Sequence, residues 1–364
     1  MIAGAVPSCA RTTEPDEPRV IWRHSEPRGA QNSPLVDRGQ VVFTLLRSPV
    51  VVALDEGTGV LRWEQTLPVP NGTPGSGIPP EGGAVAAGDL VFVPAGDVFA
   101  LDGRTGRIEW VFSKADDFPG LGKLLVHDGR LYAAGRRLYA LDPSTGSLLW
   151  EREMGDRVAD PVGANASVLV FSRQLISGTN VLGPARLHAL NSATGADIWQ
   201  TEVSEQGIAV SAPTRPAVTA AGLVIVATAD GRVVALSEAT GSVRWIYRRA
   251  TDLRGGVVAI ESTAVTGGLD GRVIGLDLDD GGERWSAVFG AGSGASIVNL
   301  ITVGAAVCYA VSGRIEAYSP AGALLWGHGG AAFGEPIYTT PVRESAGVVY
   351  VGAEDGLYAL RAVP

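Results

Sequence analysis

This 364-residue sequence predicts an all-β fold, an eight-bladed β-propeller of four-stranded antiparallel blades, on three observations. Eight tryptophans, Trp22, Trp63, Trp110, Trp150, Trp199, Trp245, Trp285 and Trp326, follow one another at gaps of 41, 47, 40, 49, 46, 40 and 41 residues. Most of them end the same phrase, clearest as LYALDPSTGSLLW (138–150) and repeated as VVALDEGTGVLRW (51–63), VFALDGRTGRIEW (98–110), LHALNSATGADIW (187–199) and VVALSEATGSVRW (233–245). Weaker copies are VIGLDLDDGGERW (273–285) and IEAYSPAGALLW (315–326). A period of about 40–45 residues with one aromatic anchor per unit marks a blade-repeat protein. The third observation is compositional: 49 glycines and 22 prolines suit many short strands joined by tight turns.

Each repeat reads as four strands. In residues 214–248, TRPAV (214–218) is the innermost, where Pro216 is tolerated because its missing N–H faces the open side. LVIVAT (223–228) is a continuous apolar run of the kind buried on both faces. Asp230-Gly231 forms a tight hairpin into RVVALS (232–237), and VRWIYR (243–248) is the outermost strand. Asp270-Gly271 and Asp355-Gly356 hold the same hairpin position in other blades.

The phrase between the last two strands is a turn with its own chemistry. Its acidic or amide residue (Asp55, Asp102, Asp142, Asn191, Asp277) accepts hydrogen bonds from backbone N–H groups ahead, and the threonine hydroxyl does likewise. The next glycine (Gly59, Gly106, Gly146, Gly195, Gly241, Gly281) admits positive φ. The tryptophan then fills the wedge between neighbouring blades. Burying its indole contributes roughly 4–6 kcal/mol gross, an upper bound. These residues are therefore assigned to structure, not chemistry.

The count of units closes the ring. Seven phrases run from the ALD-like strand to a tryptophan; an eighth strand, GLYALRA (356–362), ends the chain without one, and Trp22 in RVIWRH (19–24) begins it without an ALD strand. The two halves complete one blade if the N-terminal strand pairs with the C-terminal blade, which removes the open edges of a linear stack. Residues 20–364 are one propeller. Residues 1–19 precede it, with a polar, proline-rich stretch, RTTEPDEPR, at 11–19 suited to a disordered tether.

A net charge of −9 excludes broad attraction to nucleic acid or anionic lipid, and no run of about 18 apolar residues could span a bilayer. Lysine occurs only at Lys114 and Lys123. The two cysteines lack metal or redox spacing: Cys308, in AAVCYAV, reads as a small buried residue, and Cys9 stands apart.

The repeated ALDxxTGxxxW phrase resembles that of the pyrroloquinoline quinone (PQQ) enzymes and their non-enzymatic relatives, over nearly all of the chain past residue 19. The resemblance implies the fold. For activity it leaves three branches: cofactor-dependent dehydrogenases, the propeller lipoprotein of the outer-membrane β-barrel assembly machinery, and extracytoplasmic sensor domains of serine/threonine kinases. The enzymes are longer, set a vicinal cysteine pair against the quinone and bind calcium through Glu, Asn and Asp. This chain has no adjacent cysteines, and no position carries over as the calcium set or the base. No catalytic residue, PQQ site or metal site is therefore expected. The opening MIAGAVPSCA resembles the end of a bacterial lipoprotein signal, with Cys9 as the lipidated residue. Pro7 departs from that pattern, and the charged and long apolar parts of a signal are missing. Two readings stay open: the true start lies upstream and Cys9 is lipidated, or the match is accidental.

Other motifs read as structure. LDLDDGGE (276–283), with Asp277, Asp279, Asp280 and Glu283, lacks the spacing of a calcium loop and falls on the ordinary turn. FGAGSGAS (289–296) lacks the Gly-Lys-Ser/Thr and helix of a phosphate loop. His24, His127, His188 and His328 are scattered; His188 replaces the tyrosine of the phrase and reads as packing, and no Ser/His/Asp set emerges from spacing.

Function should lie where blades differ. Extra residues occur at 67–83, 172–185 and 202–214, and charged connections at 114–123 and 248–256. Blade-to-blade and middle-strand connections emerge on one face, so that face, carrying Asp116, Asp117, Arg173, Arg248, Arg249, Asp252 and Arg254, is the candidate binding surface. The expected function is a non-catalytic, monomeric scaffold or sensor outside the cytoplasmic membrane. It binds a protein or peptide partner, with no nucleic acid and with membrane contact only through an N-terminal anchor. A small-molecule or carbohydrate sensor, and more remotely a PQQ-dependent dehydrogenase, are the alternatives.

Overall fold

The computed structural model describes residues 19–361 except 46–47, 69–82, 115, 117–120, 155–156, 159–160, 166, 174–183, 205–215, 252, 254–255, 269, 289–297, 305, 312–313 and 330–342. The described residues form eight antiparallel sheets and no helix. Numbered along the chain, the blades span 30–66, 85–112, 123–153, 157–202, 217–248, 257–288 and 298–329, and blade 8 joins 343–361 to 19–25. The seam is as the count required: Arg19–Ser25 is the outer strand of blade 8, with Trp22 opposite Ala359 and Ser25 opposite Gly356. In blade 5 the four strands lie at 217–218, 223–227, 232–237 and 243–248. Its innermost ladder is only two residues long, starting just past Pro216, whose ring has no N–H to donate. Blade 4 departs from four strands, because Arg157–Val158 and Val162–Ala164 both pair with Ser167–Arg173.

The core is not central. Buried apolar residues form eight clusters, and each cluster lies between two consecutive blades. This follows from strands buried on both faces: alternate residues of one strand serve two different wedges. In blade 2, Val91, Val93, Phe99 and Leu101 pack towards blade 1, whereas Phe92, Val98 and Ala100 pack towards blade 3. Cys308 is fully buried in the wedge between blades 7 and 8.

The tryptophans do more than fill these wedges. Seven indole N–H groups donate to a carbonyl in the next blade's phrase turn: Trp22 to Glu56, Trp63 to Gly103, Trp110 to Pro143, Trp150 to Ser192, Trp199 to Glu238, Trp245 to Leu278 and Trp285 to Pro320. The glycine of the same turn lies flat on the ring. A Cβ added at Gly106 would sit 2.5 Å from Trp63, and the other phrase glycines meet the preceding tryptophan in the same way. Glycine is thus required twice over, for φ near +70° and for contact. The turn itself is built as its residues suggest. Asp55 Oδ1 accepts from Gly57 N (3.1 Å), Thr58 N (3.0 Å) and Thr58 Oγ1 (2.8 Å), and Asn191 Oδ1 accepts from Ala193 N and Thr194 N at 3.0 Å.

Candidate binding face

The strand order fixes which turns share a face. Tight turns between first and second strands, and the phrase turns, lie on one side, where neighbouring blades are cross-tied; Ser192 Oγ, for example, donates to Asp128 across blades 4 and 3 (2.6 Å). Connections between the middle strands, and from each outer strand to the next blade, emerge on the other side. Residues 174–185 join the middle strands of blade 4, against one to four residues in the remaining blades. The insertions of 69–82 and 205–215, and FGAGSGAS, lie outside the described residues.

Of the seven predicted surface residues, Asp116, Arg248 and Arg249 are described in full. Arg173 is described as the last residue of its strand, while Asp117, Asp252 and Arg254, like Cys9, lie outside the described residues. Asp116 is 67% exposed and takes Arg137 Nη1 at 3.1 Å, while Arg137 Nε reaches Glu153 at 2.8 Å. Its own backbone N–H and Arg137 hold the Asp116 carboxyl below the usual range, and Glu153 and Asp116 raise the Arg137 guanidinium. Beside them Lys114 pairs with Glu151 (2.9 Å) and stands 5.3 Å over the ring of Tyr139. Three blades further on, Arg249 meets Asp270 of blade 6 at 3.3 Å, and Tyr247 donates to Glu283 at 2.6 Å. Arg248 is exposed and directly opposite Arg232, which burial chiefly, and Arg248 secondarily, push below the ordinary arginine value. Asp116, Arg248 and Arg249, the predicted residues described in full, therefore lie on connections that share a face but not a patch. Asp116 belongs to the blade 2–3 connection and is paired with Arg137, whereas Arg248 and Arg249 stand at that of blades 5–6, where Arg249 is paired with Asp270. Sequence reasoning missed Arg137, Glu153 and Asp270, although the adjacent Arg136-Arg137 pair at a hairpin turn was a visible signal.

The structure also corrects two expectations about histidine. His188 is not simply packed. It accepts from Ser172 Oγ through Nε2 (2.7 Å) and its Nδ1 faces Asp197 Oδ1 (3.3 Å), so a Ser/His/Asp set exists that spacing did not reveal. Three neighbouring strands bring it together, with Val170 opposite His188 and Ser172 two residues further on. Burial pushes the imidazole below its usual range against the opposing pull of Asp197. Ser172 and His188 are only 6% and 8% exposed, and Asp197 is shared with Arg152 of blade 3. The set is thus an inter-blade tie, with its hydroxyl enclosed by strands. In LDLDDGGE, Asp277 Oδ1 accepts from Asp279 N (2.7 Å) while Oδ2 holds Arg284 (2.6 Å), and Asp280 accepts from Gly282 N. The Asp277 and Asp280 carboxylates are thus committed to the turn, and Glu283 to Tyr247.

Eight blades, the ALD-to-tryptophan phrase and a seam made by both termini define a PQQ-like repeat propeller, the class shared by quinoprotein dehydrogenases and assembly lipoproteins. The family described as outer membrane protein assembly factor BamB matches residues 11–182 and 134–307, and the chain belongs to that family. A Burkholderia pseudomallei protein named outer membrane protein assembly factor BamB is 28% identical over 247 residues, covering 62% of this chain and 58% of its own length. The chain thus spans less than two thirds of that relative. The crystal structure of BamB from Moraxella catarrhalis superposes with a TM-score of 0.72 at 17% identity, over 96% of this chain and 98% of that one. Quinohemoprotein alcohol dehydrogenase from Comamonas testosteroni shares the fold at a TM-score of 0.67 and 14% identity, over 94% of this chain and 76% of its own.

Proposed function

We propose that this protein is a non-catalytic scaffold outside the cytoplasmic membrane that binds a protein or peptide partner during assembly of outer-membrane proteins. The observation that carries the reading is the family match across residues 11–307, which joins the chain to relatives named as assembly factors. The eight wedges keep the ring alike from blade to blade, which leaves the irregular connections as the surface where a partner is distinguished. Asp116, Asp117, Arg173, Arg248, Arg249, Asp252 and Arg254 are the residues assigned to that surface. The monomer works without PQQ or calcium, and Cys9 is its candidate membrane anchor.

Photo-crosslinking residues placed at 116 and 249, on the connection face, and at 104 and 279, on the phrase-turn face, test the assignment in isolated envelopes. Protein adducts are expected from the first pair only, and lost when Arg248 and Arg254 are changed to Glu. Equal adducts from both faces, or none from either, overturn the surface assignment. Incubation with PQQ and calcium, followed by dye reduction with alcohols or sugars, is expected to give no turnover; quinone uptake overturns the non-catalytic reading.

A further inference from the structure

Blades 3 and 4 meet through a polar chain unlike the phrase docking that repeats round the ring. Arg152, on the outer strand of blade 3, donates through Nη1 to Gly195 O (2.7 Å) and through Nη2 to Asp197 Oδ2, both in blade 4. The other oxygen of Asp197 faces His188 Nδ1, and His188 Nε2 accepts a hydrogen bond from the Ser172 hydroxyl. Equivalent positions in most blades are apolar or aromatic, namely Val52, Phe99, Tyr139, Val234, Ile274 and Tyr358, so the imidazole is not a requirement of the repeat.

The charges around it balance only while His188 is neutral. Facing it are Asp197 and Glu202 on the outer strand of blade 4, Arg186 on its own strand and Arg152 from blade 3; Glu202 is already paired with Arg186 at 2.8 Å. Leu138, Ala140, Met154, Val168, Val170 and Leu190, which form the apolar part of the wedge, carry no charge. Towards the inner end, Asp128 is held by Ser192 and Arg130, and His127 Nε2 bonds the Asn165 carbonyl (2.8 Å). Two guanidiniums thus meet two carboxylates. A proton on His188, itself 8% exposed, adds a third cation where the described residues supply no further anion. It also turns Nε2 from acceptor to donor, so the Ser172 hydroxyl must reverse.

We propose that His188 is the acid-sensitive element of a latch between blades 3 and 4. On protonation it takes Asp197 from Arg152, and the outer half of that interface loosens. Asp197 then serves one cation, and Arg152 regains water by leaving Gly195 and the turn on which Trp150 rests. The value of such a latch rests on the extracytoplasmic reading, where the surroundings set the pH, but the latch itself does not depend on partner binding.

Hydrogen exchange of the purified chain at pH 7.5 and 5.0, corrected for intrinsic rates, tests this without a partner. Peptides from 148–154 and 193–202 should lose protection about tenfold at pH 5.0, while the matching strands of blades 5 and 6 do not. His188→Phe, which restores the repeat pattern, and His188→Gln, which keeps both hydrogen bonds without titrating, should each abolish the change; His127→Gln should not. A loss that persists in either neutral His188 variant, or spreads evenly over all blade pairs, overturns the proposal.

Discussion

Replacing Gly106 with alanine tests whether the phrase glycine serves φ alone or also docks the preceding tryptophan. Its φ is +73°, and an added Cβ would stand 2.5 Å from Cε3 and 2.8 Å from Cδ2 of Trp63. Holding alanine in the left-handed region costs about 1–2 kcal/mol. Relieving the overlap must push Trp63 away, costing about 1–3 kcal/mol of overpacking and straining the 3.0 Å bond from Nε1 to Gly103 O. Gly106→Ala should therefore destabilise by about 3–5 kcal/mol. Gly129 supplies the control, because its φ is +69° and nothing lies within 4 Å of its added Cβ. Gly129→Ala should cost only the strain, about 1–2 kcal/mol. Urea unfolding followed by tryptophan fluorescence measures both, provided the slope is unchanged between variants. Trp63→Phe, with a smaller ring, should recover part of the Gly106→Ala penalty in a double-mutant cycle, with a coupling of about 1–3 kcal/mol. Equal penalties for the two alanine variants, or a cycle with no coupling, would refute a docking role for the glycine.

Three further outcomes follow from the same contacts. Asp55, held at about 2 first by Arg62 and then by Thr58, adds stability that is present above its unfolded value near 3.8 and lost as pH falls through about 2. Asp55→Asn, copying Asn191, should flatten Tm in that window while Asp55→Ala lowers Tm further at neutral pH. His188 carries the same sign of proton linkage as Asp55, here for a base. Its folded value is lowered, so the unfolded chain binds the extra proton and stability falls as pH drops below about 6.5; the urea midpoint should show this slope, and His188→Phe should remove it. Trp22→Ala at the seam loses the Glu56 carbonyl and the packing with Tyr350 at 5.8 Å, and should cost about 3–5 kcal/mol, with hydrogen exchange rising first in strands 19–25 and 356–361.

The fold was legible because its signals are local. A Thr-Gly turn, an apolar alternation and a tryptophan sit within about a dozen residues of one another, and the unpaired halves at Trp22 and GLYALRA point to each other by what each lacks. What the sequence hid lies between units. Trp63 meets Gly103 and Gly106 forty or more residues away, so the phrase glycine reads as a φ requirement until the neighbouring blade is in place. Ser172, His188 and Asp197 are 25 residues apart end to end, at separations that match no motif, and only strand register makes them adjacent. The connection face was readable from strand order, whereas the grouping of its charges was not. Asp116, on the connection into blade 3, answers to Arg137 on that blade's third strand, and Arg249 to Asp270 of the following blade.

A ring with eight separate wedges and no central core ties these observations together. Each blade contacts chiefly its two neighbours, so stability is close to a sum over interfaces with a closure term, and a change in one wedge stays there. The repeated tryptophan dock supplies a common strength to seven interfaces, irrespective of pH, because an indole N–H on a carbonyl has nothing to titrate. Against that background, a single histidine at the blade 3–4 wedge makes one interface answer to protons while the remaining docks hold the ring. The consequence is directional: acid should open the molecule at Arg152 and Asp197, beside the strand that ends in Arg173 on the connection face, and not at the seam where the termini meet.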